Sequence, residues 1–364
     1  MSKIRVGLIG VGNWAAYGHI PAIQSQGDYE VTAVYGRRRD HTVAIAEKFG
    51  VPHVLDTPEA VAQHPEVDLV LVLTTAPQHA EGVLAAVAAG KHVYSEWPLT
   101  TSSEKAIRLE GLAEDAGVRH FVGLQRRLSP TSRYLTDLLA QGYVGKLRSV
   151  RMHISMNYFQ ALRPNALRWT VPPENFSGVV PIYAGHFLDA LFAIVGRPTN
   201  LSALTLNQFP TVTIAETKEV FQTTTEDQLV LQGALDDGAV FTVHIEGGKL
   251  NGSGVQIDIT GDAGDLKITN ASAFGGVGED YLIEGAHGDN LPLAVLPVPE
   301  GYDWTTNKEL AASVIELGQL YVALAKDLKE GTKTAPTFAD GVWMHDLLDK
   351  VATSSETGNR ITVG

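Results

Sequence analysis

The 364-residue chain has no cysteine, which excludes disulfides, thiolate metal centres and a cysteine nucleophile and fits a reducing cytoplasm. It is short of basic charge. Lys and Arg number 28 against 41 Asp and Glu, a formal net charge of −13. Such a field repels phosphate backbones and anionic lipid surfaces, so neither direct nucleic-acid binding nor a membrane-surface role is expected. Charged residues are only 19% and apolar ones 44%, enough to build cores and to exclude a disordered chain. No run approaches the ~20 consecutive apolar residues of a bilayer-spanning helix. Met1-Ser2-Lys3-Ile4-Arg5 places charge where an export signal would need an apolar core. There is no His-Glu-x-x-His pair, and no metal is expected.

What is present alternates. Val6 to Ile9, Val31 to Tyr35 and Leu69 to Leu73 are short apolar runs with helical stretches between them, which predicts a parallel sheet. Asp40 is the expected cap of a helix ending at Gly50, and Thr57-Pro58 opens another. Gly90 closes a third, over 78–89, and Thr101 with Glu104 makes a capping box for a helix reaching Gly117. His92 to Glu96 and Arg119 to Leu124 supply further strands, so residues 1–125 are expected to form a doubly wound α/β domain.

Ser129-Pro130 opens a helix that Gly142 ends, and the period then changes to two. Val150, Met152, Ile154 and Met156 alternate with Arg151, His153 and Ser155, and turns at Asp236-Asp237-Gly238 and Gly261 to Gly264 join further alternating runs. Residues 126–364 are therefore expected to form an α+β domain with a mostly antiparallel open sheet, for substrate binding and oligomerisation. A sheet with helices on one side leaves its other face uncovered, which predicts a homodimer or higher homo-oligomer. Leu310, Val314, Leu317, Tyr321, Leu324 and Leu328 fall on one stripe of a long helix, opened by Thr306 and Glu309 and closed near Gly331. Gly275, Gly276 and Gly278 read as a surface loop.

Gly10-Val11-Gly12-Asn13-Trp14-Ala15 follows the first strand and opens a helix, the context in which G-x-G-x-x-G/A signifies dinucleotide binding and a Rossmann fold. Gly10 permits the tight turn, Gly12 lets a pyrophosphate approach the backbone, and Ala15 allows close helix packing. Gly10, Gly12, Asn13 and Trp14 are accordingly cofactor-binding candidates; the alternative is a pair of glycines that serve the turn alone. At the end of the second strand the acid that usually bonds the ribose hydroxyls is replaced by Gly36-Arg37-Arg38-Arg39. Gly36, Arg37 and Arg38 thus favour a 2′-phosphate, making NADP the preferred cofactor, with NAD admitted through Asp40. A solvated basic turn is the alternative.

Gly18-His19-Ile20-Pro21, Thr74-Thr75-Ala76-Pro77-Gln78-His79, Ala89-Gly90-Lys91-His92-Val93 and Glu96-Trp97-Pro98-Leu99 resemble successive signatures of the Gfo/Idh/MocA oxidoreductase family. Gln125 to Pro130, Gln141 to Gly145, Gly247-Gly248-Lys249 and Ile257 to Gly261 are similar to the branch containing the fungal galactose-regulon repressor. The resemblance implies hydride transfer between NAD(P) and a sugar, polyol or related hydroxyl compound. It adds Thr74, Thr75, His79, Glu96 and Trp97 to the cofactor residues. It also implies a lysine where Trp97 stands and an acid where Ile182 stands. An indole donates a hydrogen bond but does not titrate, although it can stack on a nicotinamide or a sugar.

His186 then remains as the catalytic candidate, with Tyr183 one helical turn before it. Asp189 orients it or caps packing, or else touches substrate. Tyr158, Arg168 and Trp169 lie where they would line a sugar pocket or serve as loop and core residues; Trp97, Tyr158, Trp169, Tyr183 and His186 are the substrate candidates. A catalytically silent, NAD(P)-binding regulator that recognises a partner protein is the alternative function.

Overall fold

The computed structural model describes residues 2–275, 279, 281–305, 307 and 309–364. The chain divides into two compact units, Met1–Gln125 with Trp304–His345, and Arg126–Asp303 with Asp346–Gly364. The division after Gln125 falls where the expected boundary lies, but residues 126–364 are not one unit, because Trp304–His345 returns to the first. Its helix Ala312–Glu330 buries Leu317, Leu320, Tyr321 and Leu324, and Tyr29 donates a 2.6 Å hydrogen bond to the carbonyl of Tyr321. Apolar periodicity identifies such a helix without saying which layer it covers.

The first unit holds six parallel strands: Ile4–Ile9 (β1), Tyr29–Tyr35 (β2), His53–Val54 (β3), Leu69–Val72 (β4), His92–Ser95 (β5) and His120–Val122 (β6), in the order β3-β2-β1-β4-β5-β6. Val6, Leu8, Ile9 and all four residues of β4 are buried, as in strands covered by helices on both faces. The order reverses between β1 and β4, the switch point where open α/β sheets bind ligands.

Several helix starts differ from expectation. The helix after β2 spans Arg39–Phe49 with Arg38 at its cap, so Asp40 lies in the first turn. Ser102, not Thr101, caps Ser103–Asp115, because its extended backbone aims the hydroxyl at the Lys105 N–H, 3.4 Å away. The long helix begins at Ala312 with Ala311 at its cap, leaving Glu309 and Leu310 ahead of it. Thr306, Gly276 and Gly278 lie outside the described residues.

In the second unit nine strands form one sheet. Their order is Ala294–Val295, Leu282–His287, Gly264–Asn270, Gly254–Gly261, Leu147–Ser155, Val240–Glu246, Gln228–Leu235, Pro198–Leu206 and Ile361–Thr362. All neighbours pair antiparallel except Leu147–Ser155 with Val240–Glu246. Register aligns Val150, Met152 and Ile154 with Phe241, Val243 and Ile245 on a buried face. Val230 and Val240 alternate with buried neighbours, Leu204 pairs with Val230, and all three are about half exposed. The run Pro173–Val195 is long and apolar enough to cross a membrane, yet most of its apolar stretch is buried; Phe192 packs edge-on to Phe241 of the sheet at 5.3 Å. It is a core element of this unit.

Candidate functional site

The glycine turn is built as the sequence implies. Gly10 has φ +102°, and a Cβ there would lie 2.8–2.9 Å from the backbone of Leu73 and Thr74, so only glycine fits. Gly12 has nothing within 4 Å of where its Cβ would stand, leaving open space at the helix start. Asn13 and Trp14 begin the helix, which widens into a π turn over Ala15–His19 before continuing as Ile20–Gln24. Beside this turn the buried Thr74 Oγ1 has no hydrogen-bond partner among the described residues. An open backbone cradle next to an orphaned hydroxyl fits the pyrophosphate of a dinucleotide, which brings acceptors to both.

Gly36 is required by packing, since a Cβ would meet Thr42 Oγ1 at 2.6 Å and Val11 Cγ2 at 2.7 Å. The three arginines behind it divide. Arg39 is ion-paired with Asp56, while Arg37 and Arg38 are exposed and form no ion pair among the described residues. His41, which no sequence motif marks, has Nε2 3.0 Å from the Val11 carbonyl inside the glycine turn.

His79 and Glu96 serve the scaffold. His79 is buried with Nδ1 2.8 Å from the Pro98 carbonyl and Nε2 2.9 Å from the Thr74 carbonyl. Burial holds its pKa below the usual histidine value, so the neutral ring donates to one carbonyl at a time and bridges the ends of β4 and β5. Glu96 collects several donors. Trp14 Nε1 donates to Oε2 at 3.1 Å, the Tyr94 phenol donates to Oε1, and His19 Nε2 lies 3.1 Å from Oε1. The other nitrogen of His19 is 2.7 Å from the Tyr321 hydroxyl. Burial raises the Tyr94 and Tyr321 pKa values well above the ordinary phenol value, so both remain protonated. Glu96 therefore braces the glycine turn against the end of β5. Thr75 caps the helix Ala76–Ala88 by position, without a side-chain bond.

Trp97, on a cis Trp97-Pro98 bond, is only 4% exposed, and its ring lies 4.8 Å from that of His345. Burial pushes the His345 pKa down to about 4, and its Nε2 accepts from the Thr100 N–H at 3.4 Å. A neutral imidazole thus occupies one contact of the indole.

In the second unit His186 is the second residue of the helix Gly185–Val195 and is half-buried. The turn before it, Val179–Ala184, is π-helical, so the one-turn spacing expected for Tyr183 and His186 does not transfer from a regular α-helix. The Tyr183 ring packs edge-on against Phe159 at 5.4 Å and Phe274 at 5.0 Å, and Tyr158 meets the same Phe274 at 5.1 Å. Burial raises the Tyr183 pKa, which makes its phenol a donor and not a base at neutral pH. Asp189 is buried in a two-pronged pair with Arg127, one arm at 2.9 Å, so its role is to fix this helix. Arg126 lies over the Phe187 ring at 4.3 Å and adds to that clamp. Tyr158 and Trp169 are each 39% exposed. Arg168 pairs with Glu219 at 2.6 and 3.1 Å, a contact in which both side chains are about half exposed.

A family model described as an oxidoreductase family with an NAD-binding Rossmann fold matches residues 4–124, and one for the C-terminal domain of Gal80p matches residues 130–270. The dehydrogenase aclE of Aspergillus oryzae is 30% identical over 98% of this chain and 98% of its own length. The chain belongs to the Gfo/Idh/MocA oxidoreductase family. Similar to it within that family is the galactose/lactose metabolism regulatory protein GAL80 of Saccharomyces cerevisiae, 24% identical over 100% of this chain and 95% of its own. A crystal structure of a super-repressor mutant of that protein shares the fold at a TM-score of 0.88, with 21% identity over 100% of this chain and 98% of the other. Levoglucosan dehydrogenase, solved with NADH and levoglucosan, shares it at 0.84 with 18% identity over the full length of both chains.

Proposed function

We propose that this protein binds a nicotinamide dinucleotide, NADP in preference to NAD, and acts on a hydroxyl carbon of a sugar, polyol or related compound. The observation that carries the reading is the Gly10 to Trp14 turn, with open space at Gly12 and the orphaned Thr74 hydroxyl beside it. The backbone of that turn would hold the pyrophosphate, and Arg37 and Arg38 the 2′-phosphate. A bound nicotinamide dinucleotide supplies the hydride acceptor or donor. His186 moves the hydroxyl proton, Tyr183 donates a hydrogen bond, and the half-exposed rings of Tyr158 and Trp169 offer faces on which a sugar stacks. The aclE dehydrogenase supports the redox activity, and the levoglucosan enzyme the substrate class.

Calorimetry with both nucleotides tests the cofactor assignment. NADPH is expected to bind more tightly than NADH, and Arg37→Ala and Arg38→Ala to weaken NADPH by about tenfold each with little change for NADH. Gly10→Ala should lose both nucleotides. NADH binding tighter than NADPH would sink the preference and leave the glycine turn in place.

A second reading, a cofactor-binding regulator that recognises a partner protein, is favoured by Trp97. The buried indole stands where the resemblance implies a proton-donating lysine, and GAL80 is a regulatory protein.

The assembly proposed with either reading is a homodimer or larger homo-oligomer through the open face of the nine-stranded sheet, where Leu204, Val230 and Val240 are exposed. Light scattering at micromolar concentration should give at least twice the 39.1 kDa chain mass; a monomer counts against it.

A further inference from the structure

We propose that His53, His64 and Glu66 form a binding site for a divalent transition-metal ion of the zinc class at the edge of the first unit's sheet. His53 lies on the two-residue edge strand β3, His64 follows the helix Pro58–Gln63, and Glu66 stands in the turn ahead of β4. No local motif links them; the crossover from β3 to β4 brings them together. His53 Nε2 is 2.8 Å from Glu66 Oε2, the two imidazole rings are 4.4 Å apart, and one ligand atom from each residue lies within 4.8 Å of the others.

Two imidazoles and a carboxylate are a donor set that zinc accepts at about 2.0–2.2 Å, leaving a fourth position for water. Bonds of that length place tetrahedral donors about 3.3–3.5 Å apart, so the ion needs His53 and Glu66 to part slightly and His64 to close in. The side chains of His53 and Glu66 are 37% and 53% exposed and can make that adjustment. The backbone beneath them is held, since the Glu66 carbonyl accepts from Thr32 Oγ1 at 2.5 Å.

A plain His53–Glu66 ion pair explains one imidazole but not the second. Besides its ring contact with His53, the His64 side chain has one long hydrogen bond among the described residues, its Nδ1 accepting from the Glu66 N–H at 3.3 Å, which ligation through Nε2 would give up. An ion here would tie β3 to the connection that follows it. Because His53 and Val54 pair with Ala33 and Val34 of β2, it would steady that edge of the sheet.

The test uses the full chain stripped of metal by chelation and then titrated with Zn2+ by calorimetry and with Co2+ by absorption. One tight Zn2+ per chain, a rise in melting temperature and the intense ligand-field bands of four- or five-coordinate Co2+ are expected. His53→Ala and His64→Ala should each weaken the tight step at least tenfold. Glu66→Gln, which keeps the shape and loses the charge, should weaken it without lowering the metal-free melting temperature. NADPH affinity should stay as in the parent chain, which separates this site from the nucleotide site. No tight step, or a tight step that survives in the His53/His64 double variant, would overturn the proposal.

Discussion

Replacing His186 by alanine is expected to lower turnover by about 10² to 10⁴-fold while leaving nucleotide affinity unchanged. Imidazole is the side chain whose ordinary titration range lies nearest neutral pH, so it can both take and return a hydroxyl proton. The helix that carries it is fixed for the purpose. Asp189 is gripped by Arg127, Phe187 lies under Arg126, and Leu188, Leu191 and Phe192 are buried. His186 is left half-buried, and removing it creates no large core void. The loss should therefore appear in kcat, with the melting temperature nearly unchanged. Tyr183→Phe should cost less, because a phenol with a raised pKa contributes a hydrogen bond and not a base. Steady-state kinetics on the two variants separates these roles. Full turnover in His186→Ala would remove the histidine from the chemistry.

Trp97→Lys would install the residue that the family resemblance implies, yet the structure makes its first effect a loss of stability. The indole is 4% exposed against a His345 ring that burial keeps neutral down to about pH 4. Truncating a buried tryptophan costs about 3–5 kcal/mol, of which the lysine stem recovers a part. The ammonium is then desolvated beside an uncharged ring, which adds a cost or drives the lysine to lose its proton. We expect a net loss of about 2–4 kcal/mol, seen as a fall in melting temperature of roughly 5–15 °C. Trp97→Phe keeps an aromatic contact with His345 and should lose less than half as much. Calorimetric melting of both variants checks this, and a Trp97→Lys protein that melts with the parent would show that the indole is not a packing element. A gain in dehydrogenase activity can be read only from protein that remains folded at the assay temperature.

The sequence displays the β-α alternation of the first unit, the period-two strands of the second and the glycine turn, because each is a local pattern with a local cause. Ser129 and Thr57 cap the helices they precede for the same reason. What was not legible depends on which layer an element joins. Tyr321 and His345 belong to the first unit, although they lie some 200 residues beyond its sheet, and nothing in their own periodicity says so. His79 matches a family signature, but its two carbonyl contacts arise only when the ends of β4 and β5 come side by side. The Tyr183–His186 spacing implies one face only on a regular helix, and a π turn stands there instead. His53, His64 and Glu66 show no ligand motif because one lies on a strand, one just past a helix and one in a turn.

The most direct test of the central claim is a turnover assay. The purified chain, loaded with NADP+ or NADPH, is offered a panel of aldoses, ketoses and polyols while the nicotinamide absorbance is followed. The account predicts redox turnover with at least one member, higher with NADP(H) than with NAD(H), and its loss in His186→Ala. Tight NADPH binding without turnover of any member would contradict the oxidoreductase account and leave the cofactor-binding regulator in its place.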